Sequence, residues 1–300
     1  MNRRDSTMIA SLSLIWGASF LFIKVADRQF DPAALVFARL LLGCAVLLPA
    51  AFLVLGREAL REARKAWRRL AVLGIVNTAI PFLLIAWAET RIDSGLAAIL
   101  QAAAPIFTAT LATRFGDEHI GGGRLAGVLV GLAGVALLVG SPGPGGLLAA
   151  LAMVLAALAY ACGATFGSHM LAGTPSLVVG AVSSCAAMLV VAPFGLSHLP
   201  DALPGWKELA SVAALGVGGT GIAYMLLFGL LRRAGASRTM LVTYLIPGIA
   251  VLYGALLLGE PLRAISLGGL ALILVGVGLA SRGRGSEPLS PTLAVAGPAD

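Results

Sequence analysis

The chain has 300 residues, of which 59% are hydrophobic and only 12% charged, and its mean hydropathy is +0.96. A water-soluble domain does not keep that balance, so the composition points to a polytopic membrane protein. The net charge of +7 is no nucleic-acid footprint, because the basic residues gather in short segments between apolar runs and so mark membrane topology.

Apolar runs of spanning length, roughly 17 to 25 residues, fall at 7–25, 33–55, 70–88, 95–113, 122–140, 147–170, 176–196, 208–231, 237–257 and 264–281. The expected fold class is therefore an all-α polytopic membrane protein with ten transmembrane helices. The alternation of an outer-membrane barrel is not seen. Helix 1 has the basic head and apolar middle of a secretory signal, but it is expected to be retained, since the second half's first helix otherwise lacks a counterpart. Trp16 lies near its middle, and Ser13, Gly17, Phe20 and Lys24 form one stripe at helical spacing. Trp16 and Phe20 are candidate walls of a substrate cavity, with plain helix packing as the alternative.

Lys24 comes at the outer end of helix 1, Glu89 at the outer end of helix 3, and Arg39 six residues into helix 2, about 9 Å below the boundary. A charge at mid-bilayer costs about 2.5 to 3.5 kcal/mol. Lys24 and Arg39 are thus expected to snorkel, or one of them to pair with Glu89 and form a gate or a coupling site. Between helices 2 and 3 the run Arg57 to Arg69 reads as a basic cytoplasmic loop attracted to anionic lipid. Asn77 and Pro81 share a stripe of helix 3. A polar group such as Asn77 inside a span must find a hydrogen bond or water.

The stretch from Ser94 to Glu118 is written a second time, ending at Glu260. Pro105 and Pro247 stand 142 residues apart, as do Glu118 and Glu260. Four residues before each proline is a polar side chain, Gln101 in one copy and Thr243 in the other. Proline lacks an N–H, so the carbonyl four residues earlier loses its helical partner, and both helices are expected to break. Such backbone is tolerated in a membrane only against protein or a wet cavity. Repeated interrupted helices point to the central site of a transporter. Gln101 and Thr243 are the expected polar contacts of a small-molecule substrate, with Tyr160, Tyr224 and Tyr244 beside them.

Gly123, Gly127 and Gly131 in helix 5 permit close helix approach, compatible with a monomer or a homodimer. SPGPGG at 141–146 is a periplasmic linker between a first repeat at 1–140 and a second at 147–281, and the tail at 282–300 is expected to be disordered. Gly17-Ala18-Ser19-Phe20 recurs as Gly163-Ala164-Thr165-Phe166. With five helices per half, an odd number, the second copy enters the membrane inverted around a central cavity. With the N-terminus inside, fifteen of the 21 Lys and Arg residues fall on the cytoplasmic side, which puts both termini there in a multi-pass bacterial inner-membrane protein.

Cys44, Cys162 and Cys185 have none of the paired spacings of metal or redox motifs. His119, His169 and His198 have no metal spacing either, so no metal, cofactor or catalytic set is expected and the chain does not read as an enzyme. No repeated filter marks a channel. The alternative to a carrier is a non-transporting membrane receptor or assembly protein. Glu118 and Glu260, at helix junctions, read as caps of helix starts.

Trp16-Gly17, Phe37-Ala38-Arg39, WAETRIDSGLAAILQAAAPIFTA at 87–109 and YLIPGIAVLYGALLLGEPLRAISLGGLALILVGVGLA at 244–280 resemble the EamA family of the drug/metabolite transporter superfamily. That resemblance implies a five-plus-five inverted arrangement, a cavity lined by helices 1 to 4 and 6 to 9, and peripheral helices 5 and 10. It also implies an inner-membrane carrier, often an exporter, of amino acids or similar small metabolites. The first copy departs from the pattern at Gly116-Asp117-Glu118-His119, where the second keeps Leu258-Gly259-Glu260-Pro261.

Overall fold

A computed structural model describes residues 2–115, 122–140 and 146–281. Among them the chain forms helices and no strand: α1 (Arg3–Ala26), α2 (Pro32–Leu55), α3 (Arg57–Glu89), α4 in two pieces (Ser94–Gln101 and Ala104–Phe115), α5 (Gly122–Val139), α6 (Leu147–Met170), α7 (Ser176–Ser197), α8 (Trp206–Gly235), α9 (Arg238–Leu258) and α10 (Ala264–Ser281). Eight of these are long and apolar enough to cross a membrane, and α5 and α10 contribute two shorter apolar helices. The Gly116 to His119 turn with Glu118, residues 141–145 of the linker and the 282–300 tail lie outside the described residues.

Local chemistry sets the ends. Asp31 accepts a hydrogen bond from the Ala33 N–H at 2.8 Å and Pro32 occupies the first turn of α2, a pairing suited to a helix start. Gly259 closes α9 with φ +69°, a left-handed cap that glycine adopts without steric cost. Gly235, at φ +79°, makes the corner between α8 and α9.

The basic run is the first correction, since Arg57 to Arg69 is not a loop. It is the opening of a continuous 33-residue α3, about 50 Å long at 1.5 Å per residue. Glu58 pairs with Arg61 at 3.9 Å and Glu62 with Lys65 at 3.5 Å, three residues apart, a spacing that supports helix. On an adjoining face Ala59, Ala66 and Leu70 are buried against Leu171 and Val178.

The second correction concerns the prolines. Before Pro105 the helix is interrupted at Ala102 and Ala103, between the two pieces of α4. Through Pro247 α9 runs on without a break. Instead, the halves share a different irregularity. Residues Ile75–Ala79 of α3 and Ala214–Ile222 of α8 are π-helical, and the first stretch maps into the second at the same 142-residue offset.

Packing partners exchange between the halves. Helices α2 and α7 pack on each other, as do α4 and α9, and α5 and α10. The contact of α1 with α9 is matched by that of α6 with α4, α1 with α8 by α6 with α3, and α2 with α8 by α7 with α3. Glycines allow the closest crossings. A Cβ on Gly74 would collide with the Ser183 carbonyl of α7, and one on Gly216 would lie 2.8 Å from the Arg39 carbonyl of α2. Gly127 and Gly131 meet Gly276 inside this chain, so that part of the helix 5 stripe is spent on α10. The Cys44 and Cys185 thiols, on α2 and α7, face each other.

The main core joins Phe20, Leu35, Leu40, Ile85, Ile99, Leu100 and Met153. Leucines such as Leu53, Leu129, Leu155, Leu189 and Leu256 are exposed on the outside, a surface suited to lipid tails.

Candidate functional site

The π-helical stretch of α8 is where several expected residues converge. The Gly219 carbonyl accepts the indole N–H of Trp16 at 3.0 Å. Thr220 is fully buried; its hydroxyl donates to the Leu215 carbonyl at 3.2 Å and accepts from Arg39 Nε at 3.1 Å. The Arg39 guanidinium lies 3.9 Å from the centre of the Phe82 ring, a cation–π contact. Tyr160, Tyr224 and Glu89 are the ionisable groups whose fields reach it. Arg39 is only 7% exposed. The snorkelling expected from its position does not occur, because Thr220 and Phe82 hold it inside the bundle.

Other expected residues sit around this centre in different ways. Phe20 is buried in the main core, and Tyr160 and Tyr244 are half-buried against it. Tyr224 packs on Phe228, with ring centres 5.9 Å apart. Asn77, in the α3 π-helical stretch, occupies the space that a Cβ on Gly163 would fill. Thr243 is half-buried on α9. Gln101 ends the first piece of α4, and its Oε1 is buried with no hydrogen-bond partner among the described residues. An acceptor left in that condition costs about 1–3 kcal/mol, which a bound donor would recover.

The bundle end where α1 finishes carries a cluster of charges. Lys24 Nζ donates to the carbonyls of Glu89 and Ile92, the latter at 2.8 Å. It thereby caps the end of α3. The expected ion pair of Glu89 with Lys24 or Arg39 is not formed: Lys24 takes the Glu89 backbone and Arg39 takes Thr220. Glu89 itself is 0% exposed and both its carboxyl oxygens lack a partner among the described residues.

Asp27, three residues after Lys24, is half-buried as a residue, but both its carboxyl oxygens are likewise buried without a hydrogen-bond partner among the described residues. Burial pushes its carboxyl up to about 8, with Lys24 opposing the rise and Asp31 adding to it. Below the ordinary value of 3.8 this group's contribution to stability is complete, and it is lost as pH climbs toward about 8. Thermal unfolding in detergent is expected to show that decline, and Asp27→Asn to remove it.

At the same end of the bundle, Glu260 reaches the other half. Its Oε1 accepts from the Ser94 N–H at 2.8 Å, and its Oε2 from the Ser94 hydroxyl at 2.9 Å and the Gly95 N–H at 3.1 Å. The capping role stands, but the helix capped is α4 rather than the adjacent α10. Arg263 and Asp93 approach to 3.7 Å beside it. Sequence reasoning missed Asp27 and this partner of Glu260. Asp27 carries no signal beyond its place after Lys24, whereas the Glu260 contact joins residues 166 apart. Among the described residues no three His, Cys, Asp or Glu side chains gather as for a metal ion.

Comparison with known proteins gives a consistent picture. The model of the EamA-like transporter family matches twice, over residues 6–140 and 147–282. The inner membrane transporter YedA of Escherichia coli is 28% identical over 290 residues, covering 95% of this chain and 92% of its own. A "Probable amino-acid metabolite efflux pump" of Salmonella typhimurium and a "Probable terminal-alkyne amino-acid exporter" of Streptantibioticus cattleyicolor are each 27% identical, covering 92% of this chain and 94% of their own. A crystal structure 22% identical in sequence aligns over 94% of this chain and 98% of its own with a TM-score of 0.66, a likeness of fold alone.

Proposed function

The chain belongs to the EamA-like transporter family, and from that premise we propose that it exports amino acids or related small metabolites by alternating access. The observation that carries the substrate class is the buried guanidinium of Arg39. Among the described residues its only hydrogen bond runs from Nε to Thr220, which leaves the Nη groups as donors. A guanidinium in that setting suits a carboxylate. The unpartnered Oε1 of Gln101 suits an ammonium group. Trp16, Phe20, Asn77, Tyr160, Tyr224, Thr243 and Tyr244 are the further substrate contacts in this reading. The amino-acid exporters among the relatives support the same class.

In this reading the halves, at 1–140 and 147–281, rock about α2, α7 and the paired π-helical stretches. The chain lies in the inner membrane with both termini cytoplasmic, a placement supported by the distribution of Lys and Arg and by YedA. The Lys24, Asp27 and Glu89 end is then the outer mouth. Purified protein in lipid vesicles is expected to exchange labelled for unlabelled amino acid. Gln101→Ala and Thr243→Ala should each slow exchange about tenfold, the loss of roughly one hydrogen bond. Unchanged exchange by a correctly inserted double variant would remove the polar core from the scheme, and the absence of exchange for every amino acid would remove the substrate class.

A further inference from the structure

We propose that Asp27 and Glu89 together form a proton site at the outer mouth, which takes up one proton from the external water each time the mouth closes. The inference starts from two carboxyl groups whose four oxygens are all buried with no hydrogen-bond partner among the described residues. An ionised carboxylate without donors in a low-dielectric site costs several kcal/mol. The charged groups around Glu89 are Asp27, the most strongly felt, then Lys24, Glu260 and Arg39. Around Asp27 they are Lys24 and Asp31. The cations near the pair are committed elsewhere: Lys24 to the Glu89 and Ile92 carbonyls and Arg39 to Thr220. Glu260, the remaining acid, is satisfied by Ser94 and Gly95. Two carboxyl groups with buried, unpartnered oxygens thus lie at one end of the bundle, linked through Lys24, which stands one turn before Asp27 and holds the Glu89 carbonyl, and neither has a counter-ion bonded to it. Two such neighbours cannot both ionise without large repulsion, the condition that makes a carboxyl pair hold a proton. The value of about 8 for Asp27 agrees.

When the mouth opens, water reaches the pair and the proton exchanges with the outside. When it closes, the ionised pair is desolvated, so a proton from an external hydronium ion binds one carboxylate and water is left behind. Under the carrier reading proposed above, the proton leaves to the cytoplasmic water once the cavity opens inward. Export of substrate is then coupled to proton entry. The uptake step itself needs no substrate.

That independence sets the experiment. Infrared titration of the purified full chain in lipid vesicles follows the carboxylic-acid carbonyl band with pH, and no solute is added. One carboxyl group per chain is expected to lose its proton near pH 8. Asp27→Asn and Glu89→Gln should each abolish that step or change its proton affinity at least roughly tenfold, as removal of a close like charge does. The exposed Asp201→Asn should leave it unchanged. No titrating band near that pH, or a band indifferent to both substitutions in folded protein, would overturn the proton site. If the band behaves as expected while vesicles exchange no solute, the proton site stands and the carrier reading falls.

Discussion

Glu260→Ala is expected to open the end of the bundle that holds Lys24, Asp27 and Glu89. The substitution removes three hydrogen bonds to a carboxylate, at 2.8, 2.9 and 3.1 Å, and leaves the first N–H groups of α4 without their cap. Hydrogen bonds to charged groups contribute about 1.5–3 kcal/mol each, and neighbouring ones are not additive. A total near 3 kcal/mol is a reasonable scale, and it corresponds to roughly a hundredfold shift between closed and open mouths. The Arg263–Asp93 pair cannot replace it, since its side chains are 44% and 36% exposed and such pairs contribute about 0–1 kcal/mol. The shift can be read with a cysteine at the buried Ile92 in a chain otherwise freed of cysteine. A membrane-impermeant maleimide should label Ile92→Cys about a hundredfold faster in the Glu260→Ala background. Equal rates would mean that the carboxylate caps a helix without holding the mouth shut.

Gly74→Ala and Gly216→Ala are expected to cost the protein its packing. At Gly74 the added methyl collides with the Ser183 carbonyl of α7. At Gly216 it comes 2.5 Å from Leu42 Cβ and 2.8 Å from the Arg39 carbonyl of α2. In each case the obstruction is backbone, which rotamer changes cannot relieve. Overpacking of a tight core costs about 1–3 kcal/mol and more where backbone must shift. Both positions join one half to the other, so the crossing of α2 and α7 with the π-helical helices is what gives way. Gly248→Ala is the control, because nothing lies within 4 Å of its Cβ and alanine favours helix by about 0.5–1 kcal/mol. The yield of monodisperse protein and the unfolding temperature in detergent should fall for the first two and hold or rise for the third. If Gly74→Ala behaves like the control, the crossing has slack that the static packing does not show.

The fold was legible because its signals are additive. Ten apolar runs and the 142-residue offset each draw on many residues, so no single substitution hides them. What failed depended on local competition. The Arg57 to Arg69 run looks like a loop by hydropathy, but its i, i+3 pairs and a buried Ala59, Ala66 and Leu70 face make it helix. Pro247 lacks an N–H just as Pro105 does, yet α9 stays continuous through it. Arg39 was expected to seek the boundary, but Thr220, 181 residues away, holds it inside. The charged mouth was the least legible part. The sequence pairs Glu89 with a cation by sign, whereas folding gives Lys24 two carbonyls that it prefers and leaves the acids to each other.

The two π-helical stretches also record something of the chain's history. A π turn is what one extra residue produces when it enters an established α-helix and the flanking turns keep their register. Both halves carry that irregularity at matching positions, Ile75–Ala79 within α3 and Ala214–Ile222 within α8. The shared position makes the irregularity a property of the repeat unit itself, as the doubled family match at 6–140 and 147–282 leads one to expect. The Asp27 and Glu89 site has no such twin, since the register that sets Gly17 against Gly163 puts Gly173 at the place of Asp27, and position 231, which is 142 beyond Glu89, holds Leu231.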